Sequence, residues 1–203
     1  MASDRVMAYF VRHGETSMNA EKRFRGSVDV PLDAAGQAQA LELRDFFATR
    51  PHGVVSHTYR QRTRQTADVI AQGLTYGHPE LQALNVGDFT GQPKTQLNVS
   101  KLRVYTEQHH DEPIPGGESL NSFRSRIRPT VEEIVEKGYA DKPPIAVVHS
   151  SIIHEIGNIY NGNHLSALVH PGGVTAVMRQ SGTGSLYAKA IRHPLLKDED
   201  FTS

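Results

Sequence analysis

Cysteine is absent from the 203 residues, so neither a disulfide nor a thiolate metal site can form, and thiol usage says nothing about redox compartment. An excess of either charge is missing too, with 22 Lys plus Arg against 22 Asp plus Glu. With 37% hydrophobic residues, the balance gives no sign of disorder, of a surface built to coat a nucleic-acid polymer, or of an acidic tail. No stretch approaches the roughly 20 apolar residues of a membrane span. The run Arg5 to Val11 after Met1–Asp4 is too short and too poorly flanked for a signal peptide. Zinc-type spacing such as H-E-x-x-H is lacking among the 11 histidines, and His109-His110 reads as surface loop. These absences lead us to expect a soluble, cytoplasmic protein without metal, cofactor, membrane or nucleic-acid partner. Its length suits a single domain spanning 1–203.

Short apolar runs at Val6–Val11 and Ile145–Val148, and a weaker one at Val54-Val55, read as buried parallel strands. Between them Ala40, Leu43 and Phe47, and then Ala67, Ile70, Ala71 and Leu74, recur at helical spacing. Residues 118 to 137 place Leu120, Phe123, Ile127, Val131 and Ile134 on one helix face, which Pro129 is expected to kink or interrupt. Ile152, Ile153, Ile156, Ile159 and Tyr160 predict a helix after His149, capped by Ser150 or Ser151. Two runs around Ser181-Gly182-Thr183-Gly184 read as a hairpin. The expected fold is a three-layer α/β sandwich: a mostly parallel central sheet, helices on both faces and a C-terminal hairpin. Residues 85 to 117, rich in Gly and Pro and weak in periodicity, are expected to form an excursion covering a pocket at one sheet end. The tail after Pro194 is expected to fray.

Arg12-His13-Gly14-Glu15-Thr16 follows the first strand, where an open α/β sheet presents ligand-binding groups. Asn19, Arg23-Phe24-Arg25-Gly26 and Asp29-Val30-Pro31-Leu32-Asp33-Ala34-Ala35-Gly36 come next. Later blocks are Arg62-Thr63-Arg64-Gln65-Thr66-Ala67, Pro115-Gly116-Gly117-Glu118-Ser119 and Val147-Val148-His149. In this order they resemble the histidine phosphatase superfamily, the phosphoglycerate-mutase-like enzymes, and the phosphatase branch more than the mutases. The resemblance implies that His13 attacks phosphorus and carries the phosphoryl group, with Arg12, Arg62 and His149 as the other catalytic residues. It also implies a phosphate contact from Asn19, and places Arg23, Arg25, Gly26 and Ser150 as substrate-binding candidates.

The residue chemistry leads the same way. Phosphate dianions repel nucleophiles, so a site must neutralise their oxygens while holding the attacking atom in line. Permanently charged arginine forks such as Arg12 and Arg62 do the first. His149, ahead of a helix N-terminus, is expected to add a third donor. An unprotonated imidazole with its tautomer fixed, as His13 requires, does the second. Asp29 and Pro31 read as loop geometry, and Ser119 or Glu118 as helix caps.

The sequence departs from the resemblance at four points, one of them Ser150, which stands where the family commonly has Gly. The usual general-acid Glu falls at Ala83; Glu80, Asp88 and Glu118 are the replacement candidates, or else the leaving group needs little protonation. Arg25 stands where the family often has Gln, which with Arg23, Arg60 and Arg64 hints at a multiply phosphorylated or nucleotide substrate. Thr63 replaces a small Ala. The expected activity is hydrolysis of a small phosphorylated metabolite or nucleotide. Phosphoglycerate-mutase-type transfer and a catalytically impaired phosphate-binding module are the alternatives, and a homodimer is compatible with the fold.

Overall fold

The computed structural model describes residues 3–137, 141–161 and 169–192; the tail expected to fray lies outside them. Along the chain run β1 (Arg5–Arg12), the single turn α1 (Ser17–Ala20), α2 (Ala34–Ala48), β2 (Val55–His57), α3 (Gln61–Ala71) and β3 (Thr75–Gly77). Then come α4 (Gln96–Arg103), α5 (Leu120–Glu136), β4 (Ile145–Val148), α6 (Ser150–Ile159), β5 (Val174–Arg179) and β6 (Leu186–Arg192). Six strands form one sheet in the order β3-β2-β4-β1-β5-β6. The pairs β3-β2, β2-β4 and β4-β1 are parallel, whereas β5 and β6 add an antiparallel hairpin at the β1 edge. This is the expected α/β sandwich.

Period-two alternation sorts the strand residues into two cores. Ala8, Phe10, Ala146, Val148 and Val177 face α5 and α6, packing with Phe123, Ile127, Val131, Ile152 and Ile156. Tyr9, Val11, Ile145, Val147 and Ala176 face α2 and α3, packing with Leu43, Phe47, Ala67 and Ile70. Both faces of β1 and β4 are thus covered, which is why their runs Val6–Val11 and Ile145–Val148 are apolar throughout. The parallel strands β1, β2 and β4 all end at the same edge. There they deliver residues 12–16, 58–62 and 149–151, on either side of the point where neighbouring connections diverge.

Four expectations need correction. Pro129 does not interrupt α5, which is continuous across it. Pro129 and Ser125, four residues earlier, both lie on the exposed face, so the carbonyl left without an N–H partner meets water. Leu74 is not on the α3 face. The helix ends at Ala71 with Gln72 left-handed, at φ 48°, and Leu74 is 88% exposed beyond it. Neither Ser150 nor Ser151 caps α6; His149 takes the cap position without a side-chain cap bond, and the Ser151 hydroxyl accepts from the Leu84 N–H at 3.1 Å. Finally, the aperiodic 85–117 segment contains α4, extended by a π-helical turn at Val104–Gln108. Its apolar residues Val99, Leu102 and Tyr105 pack only partly onto the core, too few for a periodic signal.

Candidate active site

The loop after β1 is held by backbone contact. A Cβ on Gly14 would stand 2.5 Å from the Gly36 carbonyl oxygen, and one on Gly36 would stand 2.1 Å from that of Glu15. Only two glycines permit this approach of the loop to the start of α2. Around it, the Gly14 N–H donates to Thr66 Oγ1 (3.2 Å), Glu15 N–H to Gln39 Oε1 (2.8 Å), and Leu32 N–H to Gln65 Oε1 (2.8 Å). Thr66 and Gly36, which carried the resemblance without an assigned role, therefore position the His13 loop, and Gln65 holds Leu32 in the loop that leads into α2. Asp29 accepts from the Gln61 N–H (2.8 Å) at the start of α3, and Ser119 caps α5 by accepting from the Ser122 N–H (3.1 Å). Both match the loop and capping roles read from sequence.

His13 is fully buried. Its Nδ1 lies 2.6 Å from the Gly14 carbonyl oxygen, which can only accept, so Nδ1 carries the proton and Nε2 the lone pair. That Nε2, together with Arg12 Nε and Arg62 Nε, is buried without a hydrogen-bond partner. Each such orphan costs about 1–3 kcal/mol. Two unsatisfied guanidinium donors beside an unsatisfied imidazole lone pair are complementary to a tetrahedral oxyanion with an electrophilic centre.

The His149 ring stands 5.5 Å from that of His13, centroid to centroid. Its tautomer can be traced outward. The Thr63 hydroxyl donates to the Arg60 carbonyl (2.8 Å), so Thr63 Oγ1 accepts from the Thr58 hydroxyl (3.0 Å). Thr58 Oγ1 in turn accepts from His149 Nε2–H (2.8 Å), leaving His149 Nδ1 to accept from Arg62 Nη2 at 3.5 Å. Both nitrogens of the neutral ring are thus engaged within the protein. The third donor expected of His149 appears only when Nδ1 takes up a proton and Arg62 turns away.

Arg25 lines the same site, donating to Asn19 Oδ1 (2.6 Å) and Thr16 Oγ1 (3.3 Å). Asn19 Oδ1 also accepts from the Thr16 N–H and hydroxyl, so the amide oxygen is committed and Asn19 keeps its NH2 for a ligand. Burial lowers the pKa of Arg62 and Arg25 to about 9 and of Arg12 to about 10, so all three stay charged at neutral pH. Burial first, then the charges of Arg25 and Arg62, hold His13 well below the usual imidazole range; burial and Arg62, then Arg25, do the same for His149. The nearest carboxylate to Arg62 is that of Asp29, at 4.0 Å.

A cavity of about 640 Å³ opens from this cluster, lined at its near end by Arg25, Gly26, Arg62, Ala83, His149 and Ser150, with Arg23 and Lys94 alongside. None of the three replacement acids lines it. Glu80 and Asp88 are exposed, and Glu118 is tied to Arg126 (2.7 Å) and to the Asn85 N–H (2.8 Å), where it clamps the 85–88 turn. The carboxylates that do line the cavity are Glu107 and Glu155, which carried no motif and went unread. Among the described residues no group of three or more His, Asp or Glu side chains is placed to hold a metal ion, and no helix is long and apolar enough to cross a membrane.

Residues 8–187 match the histidine phosphatase superfamily (branch 1). The chain is 26% identical over 146 residues to the uncharacterized phosphatase PhoE of Bacillus subtilis (strain 168), 72% of each chain being covered. It is 30% identical over 147 residues to the probable phosphoglycerate mutase GpmB of Salmonella paratyphi B (strain ATCC BAA-1250 / SPB7), covering 68% of this chain and 67% of the relative. The fold superimposes on a mycobacterial glucosyl-3-phosphoglycerate phosphatase with a TM-score of 0.70 at 22% identity, over 93% of this chain and 97% of that one.

Proposed function

Because this chain belongs to the histidine phosphatase superfamily, we propose that it is a phosphatase that hydrolyses a phosphorylated small molecule through a phosphoryl group carried on His13. The observation that carries this reading is the buried, partnerless Nε2 of His13, its lone pair fixed by the Nδ1–H bond to Gly14 and flanked by the orphaned Nε–H groups of Arg12 and Arg62. Relatives of both kinds, phosphatase and mutase, share this superfamily.

In the first step the Nε2 lone pair forms a bond to phosphorus as the bond to the leaving oxygen breaks. Arg12, Arg62 and the Asn19 amide neutralise the phosphoryl oxygens. In the second step a water oxygen attacks phosphorus, its proton is lost to solvent or to His149 Nδ1, and His13 is regenerated. His13 lies behind the cavity wall, so substrate must first shift a side chain that lines it. Arg25 is that side chain in this reading: it lines the cavity and its charge lowers the His13 pKa more than any other. Drawn onto the phosphate, it becomes a third guanidinium fork.

Among the described residues the cavity supplies no carboxyl free of ion pairs to protonate a departing alkoxide, since Glu107 pairs with Arg103 (3.2 Å) and Glu155 with Arg124 (2.8 Å). Leaving groups of low basicity, such as anhydrides, aryl or hemiacetal phosphates, are therefore favoured over simple alkyl phosphates. The test is phosphate release from such a panel, with and without EDTA, beside His13→Ala. We expect EDTA-resistant turnover, a fall of at least about 10⁴-fold in the variant, and acid-labile phosphate on histidine in a rapid quench. Turnover retained in folded His13→Ala would refute the proposal, and phosphoryl return to an added hydroxyl in preference to water would turn it into the mutase reading.

A further inference from the structure

The cavity is far larger than a phosphate and falls in the range of sites for whole small molecules. Its two ends differ in charge. Near His13 the cations outnumber their partners: Arg25 and Lys94 have no ion pair among the described residues, and Arg62 has only Asp29, at 4.0 Å. Toward the far end each cation is matched, Arg103 by Glu107 (3.2 Å) and Arg124 by Glu155 (2.8 Å). A second anionic group would find no unpaired charge there.

Helix α6 is the ruler between the ends. Its first residues, Ser150 and Ser151, line the near end beside His149, and His154, Glu155, Gly157 and Asn158 continue along the same wall. At about 1.5 Å rise per residue, Glu155 and Asn158 stand roughly 8 and 12 Å along the axis from Ser150, about one ring beyond a bound phosphate. Glu155 is only 6% exposed, yet its carboxylate is not saturated. Oε1 accepts from Arg124 Nε (2.8 Å) and Oε2 from Asn158 Nδ2 (3.0 Å), and a carboxylate has about four lone-pair sites. Asn158 Oδ1 adds a further acceptor, and Arg124, whose Nε is held by Glu155 and whose Nη1 lies 3.4 Å from both His110 Nδ1 and Asn121 Oδ1, adds its Nη2 as a donor. Gly157 keeps the wall low between Glu155 and Asn158, and Phe24, Leu84, Val86, Leu120 and Phe123 supply an apolar surface.

We infer that Glu155, Asn158 and Arg124 form a subsite for an uncharged polyhydroxylated group, a glycosyl or ribosyl moiety, on the leaving-group side of the phosphate. Clustered acceptors beside one guanidinium donor suit neighbouring hydroxyls, which both donate and accept, while the apolar surface suits the C–H face of the ring. This deepens the phosphatase reading and rests on it for the position of the phosphate. It also moves the added arginine charge to the phosphate itself, away from the second phosphate suggested by the sequence.

The test compares ribose 1-phosphate and glucose 1-phosphate, both hemiacetal phosphates, with phenyl phosphate, which keeps the phosphate and lacks hydroxyls. Binding is measured by calorimetry on His13→Ala protein, and kcat/KM on protein with His13 intact. The sugar-to-phenyl ratio should fall about tenfold when Asn158→Ala or Glu155→Gln is introduced, one lost polar contact being worth about that factor. Asn158 is exposed, so its variant reads the subsite even if Glu155→Gln unsettles the α5-α6 packing. A ratio unchanged in both variants, or sugar phosphates bound no better than phenyl phosphate before substitution, would overturn the subsite even where phosphatase activity is high. Sugar-selective binding without turnover of any phosphate would leave the subsite standing and remove the phosphatase reading.

Discussion

The two ends of the cavity are built by different means. At the His13 end, position is set by backbone: Gly14 against Gly36, strand ends, and N–H groups satisfied by Gln39, Gln65 and Thr66. At the Glu155 end, position is set by side chains on α5 and α6 and by the half-buried α4 segment, whose Leu102 and Thr106 close the wall. A reaction common to many substrates needs its nucleophile fixed to within a fraction of an ångström, and backbone contact gives that precision. Recognition of one leaving group among many needs only a change of side chains, which the second end permits without disturbing the first.

The sharpest way to break the contrast is at Gly36. In Gly36→Ala the new methyl meets the Glu15 backbone, which has to move, and His13 moves with it. We expect kcat to fall about 100-fold, while sugar-to-phenyl selectivity at the other end is kept; steady-state kinetics on the two substrates measures both. Loss of selectivity without loss of kcat would show that the ends are not separable.

A smaller effect is expected at Thr63, a buried side chain in the first turn of α3. Thr63→Ala removes the acceptor that orders Thr58 and, through it, the His149 tautomer. A roughly tenfold drop in kcat with little change in KM, restored by Thr63→Ser, is the outcome that separates positioning from packing. Equal effects in the Ala and Ser variants would assign Thr63 to the core alone.

The smallest effect is on stability with pH. His13 and His149 are buried with pKa values well below the ordinary imidazole value, mainly through burial. Unfolded, they titrate near 6.5, so as pH falls the unfolded chain takes up protons first. Their contribution to stability is complete above about 6.5 and erodes below it, toward the folded pKa values. Thermal unfolding between pH 5 and 8 should show Tm decline on the acid side, and less steeply in a His149→Asn variant.

Much of the frame was legible in the chain. Continuous apolar runs marked β1 and β4 because both their faces are buried, and helical spacing marked α2, α3, α5 and α6 because each shows one apolar stripe to the sheet. The motif after β1 located the site because strand ends in a parallel sheet converge. Short β3 and α4 were missed, being exposed or only partly packed, with too few buried positions to print a period.

What the sequence determined by itself is the order of elements, the family resemblance, and the identity of His13, Arg12, Arg62 and His149 as residues carried to one edge of the sheet. Tertiary structure decided the rest: which imidazole nitrogen holds the lone pair, that Thr63 orders His149, that Glu80, Asp88 and Glu118 stand away from the cavity, and that Glu155 stands in it. The physical reason is distance along the chain. Periodicity and motifs record local geometry, whereas a tautomer, an orphaned donor or a balanced charge depends on groups far apart in the chain, Thr58 and His149 being 91 residues apart, that meet only once the sheet has formed.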